Sequence, residues 1–317
     1  MTALAIEPGR QRTAGRRPRP LTQGQLRLPD EPRTAGRKDG LGAHVLATVD
    51  AGVRVLLVEQ ATAGRADSPE SVHQMRVSAR RMRVALRMAL GAFGPKGEWL
   101  RTELSWLGSL LGEVRDLDVL CERLGAEAVT LPEADLPAFG DVLNALLELR
   151  GRAAEELVAA LGRPRYRSLL RALADAAARP ADARSDTTNE NTADELLARP
   201  LRALRKAAAK REPTDEDWHA LRIKVKRVRY AAELAGRLAG RKRRDEVAEV
   251  VRQAKTAQEV LGAFQDTVVA EDHLRRLLTR HLSPSGWLVL GRLVERQMAH
   301  RDALRAQLPA VCAPLSG

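Results

Sequence analysis

Val72-His73-Gln74-Met75-Arg76-Val77-Ser78-Ala79-Arg80-Arg81-Met82-Arg83 recurs, in residue type and spacing, as Trp218-His219-Ala220-Leu221-Arg222-Ile223-Lys224-Val225-Lys226-Arg227-Val228-Arg229. Each copy has a histidine followed by cations three, seven, eight and ten positions later, with apolar residues in matching gaps. The two histidines are 146 residues apart. On a helix, at about 100° per residue, His73, Arg76, Arg80 and Arg83 fall within roughly 80° of one another, and Arg87 extends the row. Met75, Ala79, Met82 and Leu86 form an apolar stripe centred about 100° away, with Val77 and Val84 on the other edge. The second copy repeats this layout. His219, Arg222, Lys226 and Arg229 lie beside Leu221, Val225, Val228 and Ala232, with Ile223 and Tyr230 beyond.

An ordinary surface helix carries its charges opposite its apolar stripe. Here the cations sit between two apolar edges, an arrangement that suits the wall of a groove. Glu233 is the one acid within reach, late in the second copy. Aligned cations without carboxylates repel one another and are costly to bring together, and an external anion offsets that cost. The pattern predicts an extended anion site in duplicate. Ser78 stands where the second copy has Lys224, and Arg87 where it has Glu233, so the two halves are expected to bind unequally.

Bulk charge agrees. The 317 residues hold 53 Lys and Arg against 41 Asp and Glu, a net charge of +12, which suits a polyanionic partner. Residues 1–40 contribute +5 and the other 277 contribute +7, so the excess is not confined to one end. Hydrophobic residues make up 44% but aromatic ones only 3%, a balance that favours packed helices over strands. Cys121 and Cys312 are isolated, which implies neither a zinc site nor a disulfide framework. No signal peptide and no apolar run of membrane-spanning length is apparent. A cytoplasmic protein that does not engage a membrane is the expectation.

Helical signals run through the chain. Residues 1–40 are Arg-, Pro- and Gly-rich and are expected to be a disordered leader. A first bundle is expected over 41–180, a linker over 181–191, a second bundle over 192–307 and a tail over 308–317. Asp67-Ser68-Pro69-Glu70 and Thr214-Asp215-Glu216-Asp217 are helix starts, and Gly94-Pro95 is a break. The duplication reaches further. Leu110-Leu111-Gly112-Glu113-Val114-Arg115-Asp116 matches Val260-Leu261-Gly262-Ala263-Phe264-Gln265-Asp266, 43 residues after one histidine to the aspartate and 47 after the other. Glycine inside a helix costs up to about 1 kcal/mol relative to alanine, so Gly112 and Gly262 predict a close approach of two helices. Asp116 and Asp266 are candidates to orient basic side chains across a bundle, with Arg115 and Gln265 beside them.

The paired H-x-x-R-x-x-x-[RK]-R-x-R helices and the L-G-x-x-[RQ]-D segments, taken together, resemble the CHAD domain, the conserved histidine α-helical domain, over about residues 41–307. The resemblance implies an all-α fold of two pseudo-symmetric antiparallel four-helix bundles enclosing a basic surface. It implies binding of inorganic polyphosphate, often at polyphosphate granules. The residues carried over are His73, Arg76, Arg80, Arg81 and Arg83, with His219, Arg222, Arg227, Lys226 and Arg229; Arg87 and Lys224 extend the set. Some members also carry a triphosphatase-type domain with an E-x-E-x-K strand; that motif is not found here, and its activity is not implied.

The chemistry of polyphosphate fits these residues. Arginine forks onto phosphate oxygens in bidentate fashion, while lysine acts as a mobile point charge. A neighbouring polyanion favours the doubly protonated imidazole at His73 and His219, so affinity is expected to rise as pH falls from 8 to 6. Nucleic acid is the rival polyanion. Single-strand binders stack bases on aromatic side chains, and only Trp218 and Tyr230 stand near these helices; the leader could bind nucleic acid weakly. An enzyme is not expected. No Walker-type glycine loop is present, Asp116 and Asp118 point in different directions on a helix, and Glu271-Asp272-His273 reads as a solvated turn. His44, His281 and His300 read as surface or capping residues. No cofactor, catalytic residue or metal site is expected.

Overall fold

A computed structural model describes residues 20–36, 39–63, 65, 68–88, 90–179, 189–210 and 212–315. Among these the regular structure is helical, without strands. The α-helices are α1 (Leu41–Glu59), α2 (Pro69–Met88), α3 (Leu90–Glu127), α4 (Leu136–Gly162) and α5 (Pro164–Ala177), then α6 (Asn189–Ala208), α7 (Asp215–Leu238), α8 (Arg241–Arg276) and α9 (Pro284–Cys312).

Local chemistry sets the helix ends. At the start of α7, Thr214 and Asp217 form a reciprocal capping box: the Thr214 hydroxyl accepts the Asp217 N–H at 3.3 Å, and the Asp217 carboxylate accepts the Thr214 N–H at 2.8 Å. Ser283 caps α9 by accepting the Gly286 N–H at 3.0 Å. Pro69 opens α2, where the Ser68 carbonyl accepts the Ser71 N–H; Asp67 lies outside the described residues. The expected break at Gly94-Pro95 is a kink in α3, with Gly94 at φ 52°, a conformation that favours glycine.

The expected apolar stripes are the buried ones: Met75, Ala79, Met82 and Leu86 on α2, and Leu221, Val225, Val228 and Ala232 on α7. They pack α2 between α1 and α3, and α7 between α6 and α8. The first core does not stop at the first half. It takes in Ala270 and Leu274 from the end of α8, Leu277 from the turn after it, and Val289, Leu290 and Leu293 from the start of α9. Length explains this. α8 has 36 residues against 20 for α6 and 24 for α7, so its apolar C-terminal end overshoots these partners and reaches α3, while the turn after it and α9 reach α4. The halves are therefore joined through a shared core.

Other expectations change. Leader residues 20–36 are anchored, with Leu21, Leu26 and Leu28 buried in the first core. Arg33 donates to the carbonyls of Ala177 (2.7 Å) and Arg179 (2.6 Å), and its backbone N–H donates to Asp50. Apolar anchors and satisfied backbone groups order a segment that composition alone reads as disordered. Residues 1–19 lie outside the described residues, as does the expected linker up to residue 188; α6 begins at Asn189. The expected tail is structured too: α9 runs to Cys312, and Leu308, Cys312 and Leu315 are buried in the second core. α1 is long and apolar enough to span a membrane by length and composition, at 19 residues and mean hydropathy 1.6. In this fold its Val45, Val49, Val53 and Leu56 are buried in the first core.

Candidate anion-binding groove

The two basic helices meet. Arg76 lies close to Arg222 and Lys226, while Arg81–Met88 and Tyr230–Arg237 supply the α2 and α7 walls of one cavity. Low-numbered residues face low-numbered residues, so α2 and α7 run in the same sense and their cationic rows converge.

Four cations form the centre of the groove: Arg76 and Arg80 from α2, Arg222 and Lys226 from α7. Burial, then Arg222, Arg80 and Arg76, push Lys226 down to about 7, against the pull of Asp266. Burial and the neighbouring arginines also lower Arg80 and Arg222, yet a guanidinium stays protonated at neutral pH. Two carboxylates face this cluster, Asp116 from α3 and Asp266 from α8. Burial raises the Asp266 carboxyl above its ordinary value although Arg222, Arg123 and Lys226 pull it down. The compensation is incomplete: the Nε donors of Arg80 and Arg222 are buried and lack a hydrogen-bond partner.

The ends of the motif differ between halves. In the first, Arg76 Nη1 stands 3.1 Å from Asp116 Oδ1, an ion pair without hydrogen-bond alignment. It occupies the space over Gly112, where a Cβ would come within 2.8 Å of it. The close approach expected at Gly112 is thus between helix backbone and an arginine head. At Gly262 nothing stands within 4 Å of a Cβ, so the matching expectation is corrected: no side chain fills the equivalent space. His73 is half-buried beside Arg115; burial, then Arg115, lower its pKa, with Glu70 opposing. Gln265 takes the place of Arg115 in the second half, and its side-chain oxygen lies 2.6 Å from His219 Nδ1.

Other candidates are placed apart from the central cluster. Arg229 is held internally, donating to Glu233 (2.8 Å) and Gln258 (3.1 Å) and lying over the Tyr230 ring. Arg83 donates to Ser105 at 2.9 Å. Arg87 and Arg227 are exposed and near each other. Arg81 faces away, lining a cavity of about 340 Å³ with α1 and with Glu233 and Arg237 of α7. Lys224 is about 160° round the helix from Lys226, off the cationic row. Arg81 and Lys224 entered the candidate set with the CHAD resemblance rather than with the spacing of the row, and the structure sets both apart from the central cluster.

Three cations came from no motif: Arg101 and Arg199 near Arg87, and Arg123 near Asp266. Arg101 and Arg123 are on α3 and Arg199 is on α6, and only the packing of those helices brings them here. The histidine expectations also change. His273 is 2% exposed beside Glu113 and Asp116 rather than on a solvated turn, and His44 is 3% exposed rather than at the surface. Burial lowers the pKa of both.

Residues 47–275 match the CHAD domain family. The fold is similar to the crystal structure of the CHAD domain from the plant Ricinus communis, with TM-score 0.70 and 24% identity over 90% of this chain and 94% of that one. It is also similar to PptA from Streptomyces chartreusis, with TM-score 0.65 and 20% identity over 86% and 97%. Uncharacterized proteins of two Mycobacterium tuberculosis strains are 30% identical over 272 residues, covering 78% of this chain. The chain spans about half the length of these mycobacterial relatives, 48%.

Proposed function

The chain belongs to the CHAD domain family, and from that premise we propose that it binds inorganic polyphosphate, without turning it over, in the groove between α2 and α7. One observation carries the reading: buried guanidinium donors of Arg80 and Arg222 lack partners inside a cluster of like charges. Buried donors left unpaired cost about 1–3 kcal/mol each, and phosphate oxygens offer acceptors and negative charge together. A linear phosphate chain adds both at every unit and needs no stacking platform. The same reading places the protein in the cytoplasm at polyphosphate granules, which imaging of the tagged protein tests.

The decisive experiment is a salt titration of binding with long-chain polyphosphate, single-stranded RNA and duplex DNA, using wild type and Arg76→Ala/Arg222→Ala. Polyphosphate binding that persists at physiological salt, is lost in the double variant and exceeds nucleic-acid binding supports the proposal. Equal binding of all three polyanions, unaffected by the variant, overturns it. Orthophosphate release from the ligand would overturn the part that denies turnover.

A further inference from the structure

The cationic row does not end with the two basic helices. Arg80 neighbours Arg83, which in turn neighbours Arg227 and Arg101. Arg87 has Arg227, Arg101 and Arg199 around it. These residues come from four helices: Arg83 and Arg87 from α2, Arg101 from α3, Arg199 from α6 and Arg227 from α7. Five guanidinium groups thus gather at one end of the groove, and Glu98 is the acid beside them, paired with Arg101 at 2.6 Å.

This end differs from the centre in kind. Arg83, Arg87, Arg199 and Arg227 are exposed, so water solvates them and their stems cover the apolar edges beneath. Exposed guanidinium forks can turn to meet phosphate oxygens in bidentate pairs, whereas the central cations are held in place. The distance matters as well. His73 to Arg87 spans fourteen residues of α2, about 21 Å at 1.5 Å per residue, far longer than a ligand of three phosphates.

We infer that the exposed Arg83, Arg87, Arg199 and Arg227, with the half-buried Arg101 at their edge, form a second phosphate subsite that only a long polyphosphate chain reaches while it occupies the central cluster. The inference rests on the proposed polyphosphate reading. It adds a chain-length selector supplied by α3 and α6, helices outside the repeated motif. Short phosphate oligomers are held at the centre alone; long chains gain contacts at the second subsite and a steeper dependence on salt.

The test compares tripolyphosphate with long-chain polyphosphate on the full chain, in wild type, Arg101→Gln/Arg199→Gln, and a charge-matched control, Arg163→Gln/Arg171→Gln, on exposed positions at and within α5. Long-chain affinity is expected to fall about tenfold in Arg101→Gln/Arg199→Gln, since bonds to charged groups are the stronger kind. The slope of log affinity against log salt should flatten by roughly 1.5. Tripolyphosphate affinity should stay within about twofold, and the control should change neither ligand. Long-chain affinity that is unchanged, or that falls equally in the control, overturns the second subsite and leaves the central reading standing. An equal loss of both ligands also overturns it. Wild type that binds neither ligand overturns both readings.

Discussion

Arg76 Nη1 sits 2.8 Å from where a Cβ on residue 112 would stand, so the glycine of α3 is the floor on which an α2 guanidinium rests. The same head lies 3.1 Å from Asp116 Oδ1, one turn further along α3. Gly112→Ala should therefore push the flexible head off its seat and weaken polyphosphate binding about three- to tenfold. Gly262→Ala meets nothing within 4 Å and should leave binding unchanged while gaining up to about 1 kcal/mol of helix propensity. Titration calorimetry and urea unfolding of the two variants check this; equal binding by both would refute the seat.

Lys226 faces Arg222 on its own helix, Arg76 and Arg80 on α2, and Asp266 on α8, and it is pushed down to about 7. Unfolded, it would hold its proton to about pH 10.4. Between about pH 7 and pH 10 the unfolded chain then binds more protons at this site, so stability rises with pH across that window. Lys226→Met should flatten the rise, as followed by unfolding at successive pH values. Polyphosphate should restore the proton to Lys226, so binding above pH 7 takes up protons. Calorimetry in buffers of different ionisation enthalpy reads that uptake directly.

His73 offers a second proton-linked contact. Burial and Arg115 hold its pKa below 6.5, so the imidazole is neutral at pH 7 without ligand, and a polyanion favours its protonation. Affinity should increase as pH falls from 8 to 6, and the increase should be smaller in His73→Gln. A pH profile of binding that is the same in variant and wild type would count against any role for this imidazole.

Asp116 and Asp118, two positions apart on α3, serve different ends. Asp118 pairs with Arg150 at 2.9 Å, both nearly buried. Removing it as Asp118→Ala should destabilise the fold by about 3–5 kcal/mol through the loss of a nearly buried ion pair. Asp116 is a third exposed and faces the groove. Asp116→Asn should change stability by less than about 1 kcal/mol. It should tighten polyphosphate binding two- to fivefold, because one negative charge leaves the site while Gly112 still seats Arg76. Denaturant unfolding alongside binding isotherms separates the two aspartates; weaker binding by Asp116→Asn would show that its role is to position Arg76.

Much of this was legible along the chain because helical order is periodic and local. The stripes Met75-Ala79-Met82-Leu86 and Leu221-Val225-Val228-Ala232 are buried as spacing predicts, and Thr214 caps α7 through Asp217. The divergence of Asp116 from Asp118 was also legible, since residues two apart on a helix face different ways. Arg101 and Arg199 were not, because they lie outside the repeated segments and meet Arg87 only through the packing of α3 and α6.

The all-helical class, the buried stripes and the cationic rows on two repeated segments can be read from the chain alone. Each of these follows from 3.6-residue periodicity and from capping chemistry within a few positions. Tertiary structure decided what those rows face. It placed Arg80, Arg222 and Lys226 together, turned Arg81 to the back of the seam and carried the end of α8 into the first core. It also ordered residues 20–36, which composition had read as leader. The physical reason is the range of the interactions. Periodicity fixes the angle of a side chain on its own helix, whereas the charges and apolar surfaces it meets depend on which helices pack against it, and no spacing within one segment records that.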